Sequence, residues 1–289
     1  LIDIDGDRMT ATPVRHPAVA GRFYPADAAA LRAEVETHLA LPQITPPLVA
    51  IGCIAPHAGY LYSGHVAGAV FSSVEIPQIC IVLCPNHTGI GRPLAIMSEG
   101  AWETPLGRVE IEGNVAAALQ QRFPLLEEDS TAHRSEHAAE VELPFLQVRR
   151  AGLKSDLQSS LKIVPIAIGT GNLEVLEQLG LALAEVTARH QQPILIVASS
   201  DMNHYESDAI TRMKDEKAIE TILALDAHRL QDAVMSQHIS MCGFGPAVAM
   251  LTAAKKLGAT SAQLLKYATS GDISGDRKLV VGYAGIVVS

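Results

Sequence analysis

The chain has 289 residues, 48% of them hydrophobic and 18% charged, with a formal net charge of −9. This composition fits a globular domain with a large interior and excludes a disordered or low-complexity chain. The acidic balance and the lack of a Lys/Arg cluster argue against nucleic acid as a partner.

No apolar run reaches the roughly 18 residues that cross a bilayer, and the start lacks a basic-then-apolar secretory pattern, so no membrane partner and a cytoplasmic protein are expected. Residues 1–14, with L-I-D-I-D-G-D-R ahead of Met9, read as an N-terminal extension, and 15–289 as a single domain. Cys53, Cys80 and Cys84 fall in apolar strand-like runs, where a small thiol packs and a reducing compartment suits it.

In chain order, a helix is predicted at 27–40, where Leu31, Val35 and Leu39 recur every four residues. A strand at 48–55 leads to a helix at 64–74 and a strand at 79–84. The turn-rich stretch 89–113, with G-R-P-L and E-T-P-L-G, suits a small antiparallel excursion. Helices follow at 113–123 and 136–150, then a strand at 162–168. Asn172 caps a helix at 172–189, with a strand next at 194–199. Helices at 208–224, 226–237 and 245–257 precede strands at 264–268 and 279–288. Most of the strands are continuous apolar runs, the mark of strands covered on both faces. The alternation predicts one three-layer α/β/α domain with a mostly parallel central sheet.

Three predicted strands run into loops bearing a histidine: A-P-H-A-G-Y with His57, P-N-H-T-G with His87, and S-S-D-M-N-H-Y with His204. Loops at the carboxyl ends of parallel strands converge on one crevice, which points to a metal or acid–base site. Each imidazole alone is equally well explained by a hydrogen bond to a loop carbonyl. Asp201 lies three residues before His204, so its carboxylate can orient the ring, face the same cavity, or cap a following helix. Cys242, in S-M-C-G-F-G-P, precedes a helix with Pro246 in its first turn, and partial positive charge there favours a thiolate.

In S-E-H-A-A-E-V-E-L-P-F, His137, Glu140 and Glu142 share an early helical turn that Pro144 disturbs; a supporting role is open, and a solvated acidic face is the commoner arrangement. I-G-T-G-N lacks the third glycine of a dinucleotide fingerprint. Asp272, in G-D-I-S-G-D-R, sits in a turn where it can line a pocket or face solvent.

Taken together, R-H-P-A-V-A-G-R-F-Y-P, A-P-H-A-G-Y-L-Y-S-G, P-N-H, E-H-A-A-E-V-E-L-P-F, S-S-D-M-N-H-Y, C-G-F-G-P and T-S-G-D-I-S-G-D resemble the Memo family, which includes protein B of the prokaryotic AmmeMemoRadiSam system. The likeness runs from about Arg15 to the C-terminus. It implies a fold related to class III extradiol dioxygenases and a metal held by His57, His87 and Cys242, with Asp201 and His204 beside it and His204 as acid–base residue. Tyr60, His137, Glu140 and Asp272 are then expected in the pocket or behind its ligands.

Those dioxygenases hold Fe(II) through two histidines and a carboxylate, whereas the third ligand implied here is a thiolate. Fe(II) is the expected metal, with copper admitted by the soft sulfur, and ring-opening activity does not follow from the fold. The resemblance therefore leaves two functions: a metal-dependent oxidoreductase, or a peptide- or partner-binding module working with an Ammecr-type protein and a radical-SAM enzyme. The absence of an Arg cluster near the motifs disfavours phosphopeptide capture.

Overall fold

The structure is a computed structural model describing residues 13–40, 44, 46–152 and 160–289; most of the proposed extension lies outside the described residues. The chain opens with strand β1 (Val14–Arg15), helix α1 (Ala28–Leu39), β2 (Gly52–Ala55), α2 (Tyr60–Ser73) and β3 (Ile79–Pro85). Next come β4 (Leu94–Ile96), β5 (Ala101–Thr104), β6 (Gly107–Ile111), α3 (Gly113–Arg122), β7 (Glu127–Glu128), α4 (Ser130–Arg134) and α5 (Ala138–Ala151). Strand β8 (Lys162–Ile168), α6 (Leu173–Arg189), β9 (Ile194–Ser199), β10 (His204–Glu206), α7 (Asp208–Leu223) and α8 (Ala227–Ser236) follow. Helix α9 (Phe244–Lys256), β11 (Ala262–Thr269), α10 (Ser270–Ser274) and β12 (Val280–Val288) complete the domain.

One sheet runs β1-β5-β6-β8-β3-β9-β2-β12-β10. Its centre, β6-β8-β3-β9-β2, is parallel, and β12 closes it antiparallel to β2, β10 and β11. The turn-rich stretch does form an antiparallel excursion, the β5–β6 hairpin.

Residues on the central strands alternate between two apolar layers. Ile79, Ile81 and Leu83 pack with α6 and α9 side chains, while Cys80, Val82 and Cys84 pack with those of α1, α2 and α5. This two-sided cover explains runs without polar alternation. Asn172 caps α6 by accepting from the Val175 amide at 3.1 Å. Gly64 and Gly68 let α2 lie against α1, since a Cβ at either would collide with His38. Among the described residues no helix is long and apolar enough to cross a membrane.

Several boundaries differ from the sequence expectation. Val14, assigned to the extension, already pairs with Ala101. β2 starts at Gly52 rather than 48, because Leu48 makes only an isolated bridge to Val74. Helix α5 continues through Pro144, whose surroundings are wholly buried.

Candidate functional site

Sheet register brings the first loops together. Ala55 lies beside Ser199 and Leu83 beside Ala198, so β2, β9 and β3 end at one level. His57 and Asp201 each come two residues past their strand, and His87 two past Pro85. Cys242 arrives from the far side through Gly243, the N-cap of α9. A side chain at Gly243 would strike the Ser199 carbonyl and Ser200, and its amide instead donates to Ser200 Oγ at 3.1 Å. The Cys–Gly pair thus docks the thiol directly on the β9 loop.

His57, His87 and Cys242 offer ligand atoms that all lie within 4.8 Å of one another. His57 Nε2 is 3.3 Å from Cys242 Sγ, and the His57 and His87 ring centroids are 5.2 Å apart. On its other side, His57 Nδ1 meets Ser199 Oγ at 2.8 Å. His87 Nδ1 meets Glu136 Oε1 at 2.9 Å, and its amide donates to Glu136 Oε2 at 2.6 Å. Each ring is therefore held by Nδ1, the arrangement by which an outer partner fixes tautomer and orientation.

Burial, and then the neighbouring His137, His87 and His204, hold His57 well below the usual imidazole range. For His87, burial acts downward too, but the hydrogen bond and charge of Glu136 outweigh it and raise the pKa. Burial pushes Asp201 up to about 7, although it accepts from the His57 and Ala58 amides at 2.9 and 3.3 Å. The Cys242 thiol corrects an expectation: burial, then the Asp201 charge, drive it well above its ordinary value. The Asp201 and Gly243 amides near the sulfur act the other way, and the desolvation cost exceeds them.

His204 forms the opposite wall. Its amide donates to Ser240 Oγ and its Nδ1 to the Ser240 carbonyl, both at 2.8 Å, leaving Nε2 as an acceptor. Ser240 is held by Asn203 Oδ1, and the Asn203 amide by Asp215. Asp201 does not orient this ring, because its carboxylate is spent on the backbone of the His57 loop. Nor does it cap a helix, since β10 intervenes before α7 and Ser207 is the N-cap there.

These groups border a cleft of about 640 Å³ whose wall also includes Phe23, Ala58, His137, Tyr205 and Val281. His137 packs flat on His87, centroids 4.9 Å apart, and edge-on to Phe23. The other three supporting candidates lie away from the wall. Tyr60 is buried, donating its hydroxyl to the Val141 carbonyl at 2.7 Å. Glu140 grips the N-terminal segment through Arg15, the Ala18 and Val19 amides and Tyr24. Asp272 pairs with Arg212 and Arg277 and closes a capping box with Thr269 on α10.

The acidic face predicted for α5 is not solvated. Glu140 and Glu142, with Glu136 just before the helix, are fully buried, because their partners come from remote segments that helical periodicity does not reveal. Sequence reasoning passed over Glu136, Ser240 and Phe23. Only Glu136 carried a local signal, its place directly before His137 in S-E-H. A second group of possible ligands, His87, Glu136 and His137, shares His87 with the first. Glu136 Oε1 there already accepts from His87 Nδ1 and the His137 and Ala138 amides, so this group reads as the outer support of His87.

A family model described as "Memo-like protein" matches residues 15–287. A MEMO1 family protein of Methanopyrus kandleri is 42% identical over 94% of this chain and 98% of its own length. One from Methanothermobacter thermautotrophicus is 39% identical over 94% and 99%. In fold, the chain is similar to an uncharacterized protein of Escherichia coli K12, with a TM-score of 0.52 and 12% identity over 80% of this chain and 98% of that one.

Proposed function

This chain belongs to the Memo-like family, and on that premise we propose that it is a metal-dependent oxidoreductase whose iron or copper ion is held by His57, His87 and Cys242. The observation that carries the reading is the convergence of three ligand atoms within 4.8 Å, drawn from separate segments of the chain. A small ion with bonds of about 2.0–2.3 Å holds its ligand atoms roughly 3.5 Å apart, so modest closure suffices. The donors fit such an ion. Both Nδ1 atoms are engaged elsewhere, which leaves the two Nε2 atoms and the sulfur to face it.

Two imidazoles and a thiolate suit a redox-active first-row ion better than magnesium or calcium, and when bound the ion supplies Lewis acidity and one-electron chemistry. The chain supplies the rest. Phe23, Ala58 and Val281 give one side of the cleft an apolar surface for a small-molecule substrate. His204, its Nδ1–H committed to Ser240, takes or returns a proton at Nε2.

Anaerobic purification followed by elemental analysis, wild type beside Cys242→Ser, tests the assignment. Stoichiometric iron or copper is expected in the wild type, with marked loss in the variant. No metal in either sample, even after anaerobic loading, would sink the proposal. Affinity for an Ammecr-type or radical-SAM partner that survives metal removal and Cys242→Ser would favour a binding module instead.

A further inference from the structure

Behind His57 lies a hydrogen-bond knot that the metal reading leaves unexplained. Ser199 Oγ sits 2.8 Å from each of three atoms: His57 Nδ1, the Ala138 carbonyl oxygen and Glu142 Oε1. Ser199 and Glu142 are both fully buried, and Glu142 Oε2 has no hydrogen-bond partner among the described residues.

A hydroxyl has one hydrogen to give and two lone pairs to receive with. The Ala138 carbonyl can only accept, and so can an ionised carboxylate. If Glu142 were charged, two acceptors would compete for one hydrogen, and one close contact would be left repulsive. An arrangement satisfying all three contacts exists: Ser199 donates to Ala138, Glu142 donates to Ser199, and His57 Nδ1–H donates to Ser199. A charged Glu142 would also be a carboxylate out of water with no cation among its hydrogen-bond partners. Burial acts the same way, pushing its pKa well above the usual carboxylate range.

We propose that Glu142 is a neutral carboxylic acid whose proton, given to Ser199, commits that hydroxyl to Ala138 and so keeps His57 in the Nδ1–H tautomer with Nε2 free for a metal ion. Glu142 is a positioning residue acting through Ser199, and its link to metal rests on the metal reading above. With an apolar side chain in place of Glu142, Ser199 loses that donor and its hydroxyl is free to turn from Ala138 toward His57 Nδ1, which would place the imidazole hydrogen on Nε2, facing the ligand site.

The first test is infrared difference spectroscopy of the metal-free protein at neutral pH, wild type minus Glu142→Gln. A protonated-carboxyl band present in the wild type and missing from the variant is expected; an ionised-carboxylate difference in its place would overturn the proposal. The second is Co(II) titration. Glu142→Gln retains an N–H donor and should bind as the wild type does, whereas Glu142→Leu should bind about 10- to 100-fold more weakly, as outer partners of metal-binding histidines generally do on substitution. Equal affinity in Glu142→Leu would refute the positioning role, and the infrared comparison decides the protonation state whether or not that variant folds. Because the band is read without metal, a wild type that fails to take Co(II) counts against the metal reading alone.

Discussion

His57 and His87 enter the same cleft from β2 and β3 with the same nitrogen turned away from it, yet those nitrogens meet opposite surroundings. His57 is sealed in the interior, 2% exposed, on a neutral hydroxyl. His87 stands at the mouth on a carboxylate that four N–H groups hold ionised, its pKa below the ordinary value because those bonds outweigh burial. The lesson is a division of labour: one imidazole is fixed by packing, and the other by charge. An imidazole on a carboxylate is also the more basic donor, so the two proposed ligands would be unequal before any ion arrived.

Removing each ring gives the largest effect and the sharpest test. His57→Ala and His87→Ala should both abolish tight metal binding, measured by elemental analysis. Stability should separate them. His57→Ala opens a buried polar hole beside Ser199 and should cost about 2 kcal/mol, whereas the exposed His87→Ala should cost less than about 1 kcal/mol in urea denaturation. Equal losses would show that burial does not distinguish the two rings.

The charge half of the comparison is broken by Glu136→Gln. With its carbonyl oxygen kept on the three donors at Oε1, the amide NH2 must face the His87 backbone N–H, donor against donor, and the anion behind the ring is lost, so metal affinity should fall about 10- to 100-fold. Co(II) titration measures it. An unaltered affinity would mean that His87 needs no anion behind it.

How far this asymmetry was legible in the sequence depends on where each partner comes from. His57, His87 and Cys242 announce themselves by position after apolar runs or before a helix, and the strands at 162–168 and 194–199 have the predicted bounds because continuous apolar runs define them. Their supports do not. Ser199 looks like the end of a strand, and Glu142 like one acid on a helix that meets solvent. Both acquire roles only when β9 and α5 close over each other, a pairing between residues 57 apart. Short strands such as β1 and β10 were missed for the same reason, since a two- or three-residue strand exists only through its remote partner.

The third histidine sets the smallest effect and bounds the comparison. His204 is half-buried and is held instead through Ser240, whose carbonyl holds the ring and whose hydroxyl holds the His204 amide. Ser240→Ala removes only the hydroxyl, so the ring keeps its carbonyl partner and its tautomer. Stability should drop by about 1–2 kcal/mol, because the hydroxyl both accepts from the His204 amide and donates to Asn203 Oδ1, with metal affinity unchanged. Calorimetry and Co(II) titration on one preparation check both halves. A fall in metal affinity would mean that the His204 wall and the ligand floor are mechanically one unit, and the contrast between His57 and His87 would then have to be redrawn to include it.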